Sequence, residues 1–110
     1  LAKVSLEMDV AVPLALIIGE LLTNAVKYAF AGEADDAISI IVDKDQDEVR
    51  ITVSDNGKGL PEGFDPKATT GFGMMIVNAL LQQISGKLDQ PSQDRGTAFI
   101  IRFTPKPRAA

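Results

Sequence analysis

The chain has 110 residues, 45% hydrophobic and 24% charged, the balance of one soluble globular domain and too short for two stacked enzymatic domains. Fifteen acidic against 11 basic residues give a formal charge of -4, a field that repels a phosphate backbone and argues against nucleic acid as the main partner. Cys and His are both absent, which excludes disulfides, thiolate metal sites and a histidine general base, so any catalysis falls to carboxylates, Lys, backbone amides or a borrowed group.

Val4, Leu6 and Met8 alternate with Ser5, Glu7 and Asp9, the period of a short half-buried strand. The N-terminal Leu1-Ala2-Lys3-Val4 has neither an initiator Met nor a signal pattern, so a piece of a longer protein is expected. Pro13 suits the first turn of a helix, and Leu14, Ile17, Ile18, Leu21, Leu22, Ala25 and Val26 follow at helical spacing until Gly32, which predicts a helix over about 13–30. Its apolar stretch, 11–22, is interrupted by Pro13, Gly19 and Glu20 and is too short to cross a bilayer, so no membrane contact is expected.

Two Ile- and Val-rich runs, 37–43 and 48–54, flank the polar Lys44-Asp45-Gln46-Asp47 and predict a hairpin. Residues 55–71 hold Pro61, Gly63, Phe64 and Pro66 and read as a lid-like loop. A second helix is predicted over 74–84, ended by Ser85-Gly86, and two strands over 87–89 and 97–103, joined by a polar turn at 91–96. The domain thus covers 1–104, with a frayed tail over 105–110. This order is best satisfied by an α/β (α+β) two-layer sandwich, a mixed β-sheet covered on one face by helices. Alternation of Ile38, Ile40 and Val42, and of Val49, Ile51 and Val53, gives each strand one apolar side, as such a sheet requires.

Polar residues interrupt this scaffold at four places. Glu20, Asn24 and Lys27 fall at i, i+4 and i+7 and stack as one stripe on an otherwise apolar helix. The stripe is either a solvated face or a ligand site, with Asn24 offering a neutral oxygen to Mg²⁺, Lys27 a cation to phosphate and Glu20 an acceptor for metal-bound water. Asp55-Asn56-Gly57-Lys58-Gly59-Leu60 closes a strand as either a tight turn or the floor of a pocket. In the second case the Asp55 carboxylate would select a donor such as the exocyclic amine of adenine. Thr69-Thr70-Gly71-Phe72-Gly73 opens the second helix, where unpaired N–H groups suit either an N-cap or a polyphosphate. Finally, Gly96-Thr97 starts the last strand, where the Thr hydroxyl would support Asp55 or the adenine edge.

Taken in order, these stretches resemble the N, G1 and G2 boxes and the closing Gly-Thr strand of the Bergerat-type ATP-binding fold shared by gyrase, heat-shock chaperone, sensor histidine kinase and mismatch-repair ATPases. The resemblance covers nearly the whole chain. Glu20-Leu-Leu-Thr-Asn24-Ala-Val-Lys27-Tyr28 is similar to the sensor-kinase version, since gyrase and chaperone relatives usually carry Asp where Lys27 stands. The short lid resembles kinases with the second type of phosphoacceptor domain. Gly19 stands where the subgroup named for its His, Trp and Glu signature has His, so its sister branch is the better match.

The resemblance implies catalytic roles for Glu20, Asn24 and Lys27, with Asn24 on Mg²⁺. It places Lys27 and the Gly71 and Gly73 amides on phosphates, Asp55 on adenine, and Gly57 and Gly59 at the pocket floor. Tyr28, Leu60, Thr70, Phe72, Met74 and Thr97 complete the implied nucleotide-binding set. A sensor kinase phosphorylates a His on a separate dimerisation domain. With no His of its own, this chain is then the donor half, a cytoplasmic ATP- and Mg²⁺-binding catalytic domain whose product passes to a response regulator. Two alternatives are a serine kinase of the anti-sigma type and a degenerate, non-catalytic binding domain of the same fold.

Overall fold

A computed structural model describes residues 5–26, 37–57, 72–91 and 96–105. The described elements, in chain order, are α1 (Met8–Asn24), β1 (Ile38–Asp45), β2 (Glu48–Asp55), α2 (Phe72–Gln83), β3 (Lys87–Asp89) and β4 (Ala98–Phe103).

The first helix starts earlier than its sequence suggests. Glu7 is extended, at φ -66° and ψ 153°, and its carbonyl accepts the N–H groups of Val10 and Ala11 at 3.0 and 2.9 Å, so α1 begins at Met8. Residues 5–7 have no regular structure, and the strand expected from the Val4, Leu6 and Met8 alternation is corrected to a helix entry; Val4 itself lies outside the described residues. A five-residue alternation is too short to outweigh a helix that can extend backwards by a turn. Pro13 therefore sits inside α1. It deprives the Asp9 carbonyl of its helical donor, at a point where Asp9 is exposed, while Pro13 itself is buried. The predicted continuation over 27–30 lies outside the described residues.

β1 and β2 pair in register from Ile38↔Asp55 to Asp45↔Glu48, leaving a two-residue loop, Gln46-Asp47. Gln46 adopts φ 55°, the left-handed backbone that two-residue hairpins demand. The sheet order is β1-β2-β4-β3. Among the described residues it is antiparallel throughout rather than mixed. After β2 the chain crosses through α2 to β3 and then returns, so β4 enters between β2 and β3, antiparallel to both.

The inner face of the sheet meets the helices. Val49, Ile51 and Val53 from β2, Phe99, Ile101 and Phe103 from β4, Leu14, Ile17 and Leu21 from α1, and Met74, Val77 and Leu81 from α2 form one buried cluster. Ile17, Val77 and Ile101 are completely inaccessible, and burial of such a side chain is worth about 1.5–3 kcal/mol. β1 departs from the expected pattern at one position: Ile40 is 45% exposed although it lies opposite Val53, while Ile38 and Val42 of the same row pack in part against the core, β1 being an edge strand among the described residues. On the outer face Arg102 bonds Asp89 at 2.6 Å and lies 3.7 Å from Glu48, a solvated charge ladder across the strands.

α2 ends in a tight cap. The Gly86 N–H reaches the Leu81 carbonyl at 2.8 Å and the Ser85 N–H reaches the Gln82 carbonyl at 3.2 Å, the paired bonds of a Schellman motif. The left-handed residue is Ser85, at φ 53°, and not the adjacent glycine.

Candidate functional site

The inner-face rows run out of the core at one end of the sheet. Along β2 the inward row is Val49, Ile51, Val53 and then Asp55; alongside it run Phe103, Ile101, Phe99 and then Thr97. Strand alternation thus delivers a carboxylate and a threonine to the edge of the apolar layer. Above them stands the last turn of α1. A cleft opens there, lined by Asn24, Asp55 and Thr97 together with Leu21, Ala25, Val53 and Phe99.

Main-chain groups hold Asp55 in place. Its Oδ1 accepts the Gly57 N–H at 2.9 Å and the Thr97 N–H at 3.3 Å, while its own N–H donates to the Thr97 carbonyl at 2.9 Å. Both side-chain bonds use Oδ1, which leaves Oδ2 as the acceptor with no part in either. Thr97 is only 6% exposed, and its contribution to Asp55 comes through its backbone rather than the expected hydroxyl. Next to Asp55, Asn56 Oδ1 accepts the Ala37 N–H at 2.8 Å and ties the strand exit to the start of β1.

Gly96 is a residue whose necessity sequence reasoning missed. It lies at φ 79°, and a Cβ there would collide with the Asp55 carbonyl and crowd the Asn56 Cα at 3.0 Å. Only glycine allows this approach without strain. The signal in the sequence was a glycine at the end of a polar turn, which gives no hint of the strand end it abuts.

Glu20 and Asn24, the described members of the polar stripe, face the start of α2. Glu20 packs against Gly73: a Cβ on Gly73 would overlap the Glu20 Oε2 and lie 3.2 Å from its Cδ. One turn further, Asn24 Nδ2 donates to the Met74 sulfur at 3.5 Å. The first turn of α2 is therefore bordered by a carboxylate and a carboxamide.

Of the sequence-predicted site residues, Asn24, Asp55 and Thr97 share the cleft, Gly57 donates its N–H to Asp55, and Glu20, Gly73 and Met74 meet where α1 faces α2. Phe72 supplies the first residue of α2. Lys27, Tyr28, Gly59, Leu60, Thr70 and Gly71, with the rest of the lid stretch, lie outside the described residues. Among the described residues no group of three or more His, Cys, Asp or Glu side chains could hold a metal ion by itself, and no helix is long and apolar enough to cross a membrane.

Residues 9–107 match the family described as histidine kinase-, DNA gyrase B- and HSP90-like ATPases, and the chain belongs to that family. It is 31% identical over 100 residues to the sensor histidine kinase PdtaS of Mycobacterium tuberculosis, an alignment covering 88% of this chain and 20% of that protein. It is 30% identical over 99 residues to blue-light-activated histidine kinase 2 of Erythrobacter litoralis, covering 89% of this chain and 29% of the relative. The chain thus spans less than a third of the length of these relatives. Among solved structures, the histidine kinase domain of a blue-light activated histidine kinase from Erythrobacter litoralis superposes with a TM-score of 0.84 at 28% identity, over 94% of this chain and 48% of that one.

Proposed function

We propose that the chain is the catalytic, ATP-binding domain of a sensor histidine kinase of a two-component system, acting in the cytoplasm. The observation that carries this reading is the meeting of Asn24, Asp55 and Thr97 in one cleft beside the start of α2. Asp55 Oδ2 recognises the adenine amine, and the Gly57 and Thr97 N–H groups fix the carboxylate so that its orientation is preset before the base arrives. The polyphosphate lies toward the start of α2, with the Gly71 and Gly73 amides and Lys27 as its donors. Tyr28, Gly59, Leu60, Thr70 and Phe72 enclose the nucleotide.

The residues also fit Mg²⁺. Asn24 spends its Nδ2 on Met74, which leaves Oδ1 as a neutral oxygen donor, and Mg²⁺ binds through few protein oxygens plus water and phosphate. Mg²⁺ would neutralise phosphate charge there. Asn24 is its protein ligand, and Glu20 accepts a hydrogen bond from the surrounding water and orients it. Phosphoryl transfer needs alignment and charge neutralisation more than protein covalent chemistry, so a chain without His suffices as donor. The acceptor is a histidine on the dimerisation domain of the same full-length protein, with a response regulator downstream.

The test uses Asp55→Asn, which keeps an Oδ1 acceptor for Gly57 and Thr97 but turns the free oxygen into a donor. Calorimetry with Mg-ATP should show a loss of about 1.5–3 kcal/mol, roughly 10- to 150-fold in Kd. Unchanged affinity in a folded variant refutes the pocket assignment. With labelled ATP and the dimerisation domain, label stable in base and lost in acid indicates phosphohistidine; the reverse stability favours the serine-kinase alternative.

A further inference from the structure

We infer that Met74 is a positioning residue for Asn24: its thioether sulfur sets which end of the Asn24 carboxamide faces the nucleotide side of the cleft. The inference rests on the proposed role of Asn24 as the magnesium ligand. Asn24 is the last α-helical residue of α1, and Ala25 after it keeps a helical backbone bonded to the Leu21 and Leu22 carbonyls; within such a turn an asparagine amide ordinarily competes for nearby backbone groups. Here that competition is diverted. Asn24 Nδ2 lies 3.5 Å from the Met74 sulfur, a contact that is favourable only for an N–H donor, because a carbonyl oxygen at that distance would oppose the sulfur lone pairs.

The acceptor is itself packed. Met74 is 3% exposed and belongs to the buried cluster, in the first turn of α2, so its neighbours restrain the sulfur from following a rotating amide. Flipping Asn24 by half a turn would cost the N–H···S bond and leave a part-buried amine without its acceptor. The carboxamide is thus held with its oxygen turned away from Met74. A methionine unrelated to Asn24 in sequence, 50 positions away, fixes an oxygen donor without touching the metal.

Met74→Leu preserves volume and apolarity but removes the acceptor, and is expected to stay folded. Nucleotide affinity is measured calorimetrically with Mg²⁺ and with EDTA, and the Asn24 side-chain amide is followed by ¹H–¹⁵N NMR. The expected result is a roughly 3- to 10-fold reduction in the magnesium-dependent gain, the ratio of Kd in EDTA to Kd with Mg²⁺, and a shift of the Asn24 NH₂ signals. Protein labelled with selenomethionine keeps an acceptor at position 74 and should behave as wild type. In an Asn24→Ala background Met74→Leu should have no further effect on the magnesium-dependent gain. Unmoved Asn24 signals, or a magnesium-dependent gain as large as wild type, would overturn the inference alone. A wild-type chain whose affinity ignores Mg²⁺ would overturn the metal role of Asn24 and this inference with it, even where the NMR shift reports the contact.

Discussion

The same substitution, Gly→Ala, should have opposite effects at positions 96 and 19. At Gly96 the backbone stands at φ 79°, which costs an L-residue about 1–2 kcal/mol. The added methyl also meets backbone, the Asp55 carbonyl and the Asn56 Cα, which cannot swing aside as a side-chain tip would. Overpacking of that kind costs a further 1–3 kcal/mol or so, for a total destabilisation of about 2–5 kcal/mol. Gly19 lies inside α1, and a Cβ there would meet nothing within 4 Å. Alanine should then stabilise the chain by about 0.5–1 kcal/mol through helix propensity and a less disordered unfolded state. At about 4 °C per kcal/mol for a chain of this size, thermal unfolding should show a fall of roughly 8–20 °C for Gly96→Ala and a rise of a few degrees for Gly19→Ala. Urea titration supplies the free energies directly. A Gly96→Ala variant within about 0.5 kcal/mol of wild type would refute the close approach of the Gly96-Thr97 segment to the end of β2.

Gly73→Ala introduces a methyl whose neighbour is the far end of Glu20, so stability should change by less than about 1 kcal/mol while Mg-ATP binding weakens as the carboxylate is displaced. In a Glu20→Ala background the same change should lose its effect on binding, giving a coupling of about 0.5–3 kcal/mol in a double-mutant cycle; additive losses would show that Gly73 acts independently of Glu20. Ser85→Gly relieves a left-handed serine at the end of α2 and should raise stability by about 0.5–1 kcal/mol. A lower melting temperature for that variant would contradict the cap described for Ser85 and Gly86.

Much of the scaffold could be read in advance because its cause is local. β2 and β4 carry clean alternation, so the sequence-based spans of 48–54 and 97–103 fall within one residue of the observed Glu48–Asp55 and Ala98–Phe103. The start of α1 was hidden because Val4, Leu6 and Met8 mimic a strand and Pro13 mimics a first turn, whereas the Glu7 carbonyl decides the entry. At the site, the residue types at positions 20, 24, 55 and 97 were legible as polar breaks in apolar runs. Their gathering on one site came from the resemblance and not from periodicity, and the particular bonds were not legible, since the Asn24–Met74 bond and the Asp55–Thr97 backbone contacts join residues 50 and 42 positions apart. Periodicity carries no information about such register. It also shows side chains and not main-chain donors, which is why the Thr97 hydroxyl, expected to support Asp55 or the adenine edge, was legible while the bonds of its N–H and carbonyl to Asp55 were not.

The bonds between Asp55 and Thr97 also bear on how the chain reaches its final form. They close a segment containing all of α2 and β3, and tying a loop of 42 residues costs on the order of 3 kcal/mol in chain entropy before packing offsets it. Contacts of such long sequence separation form slowly relative to local hairpins and helix turns. The β1–β2 hairpin can assemble early, yet the carboxylate at its end has only its local Gly57 bond until β4 docks. The cleft therefore has its full lining only once β4 completes the sheet, because Thr97 and Phe99 belong to it alongside Asp55.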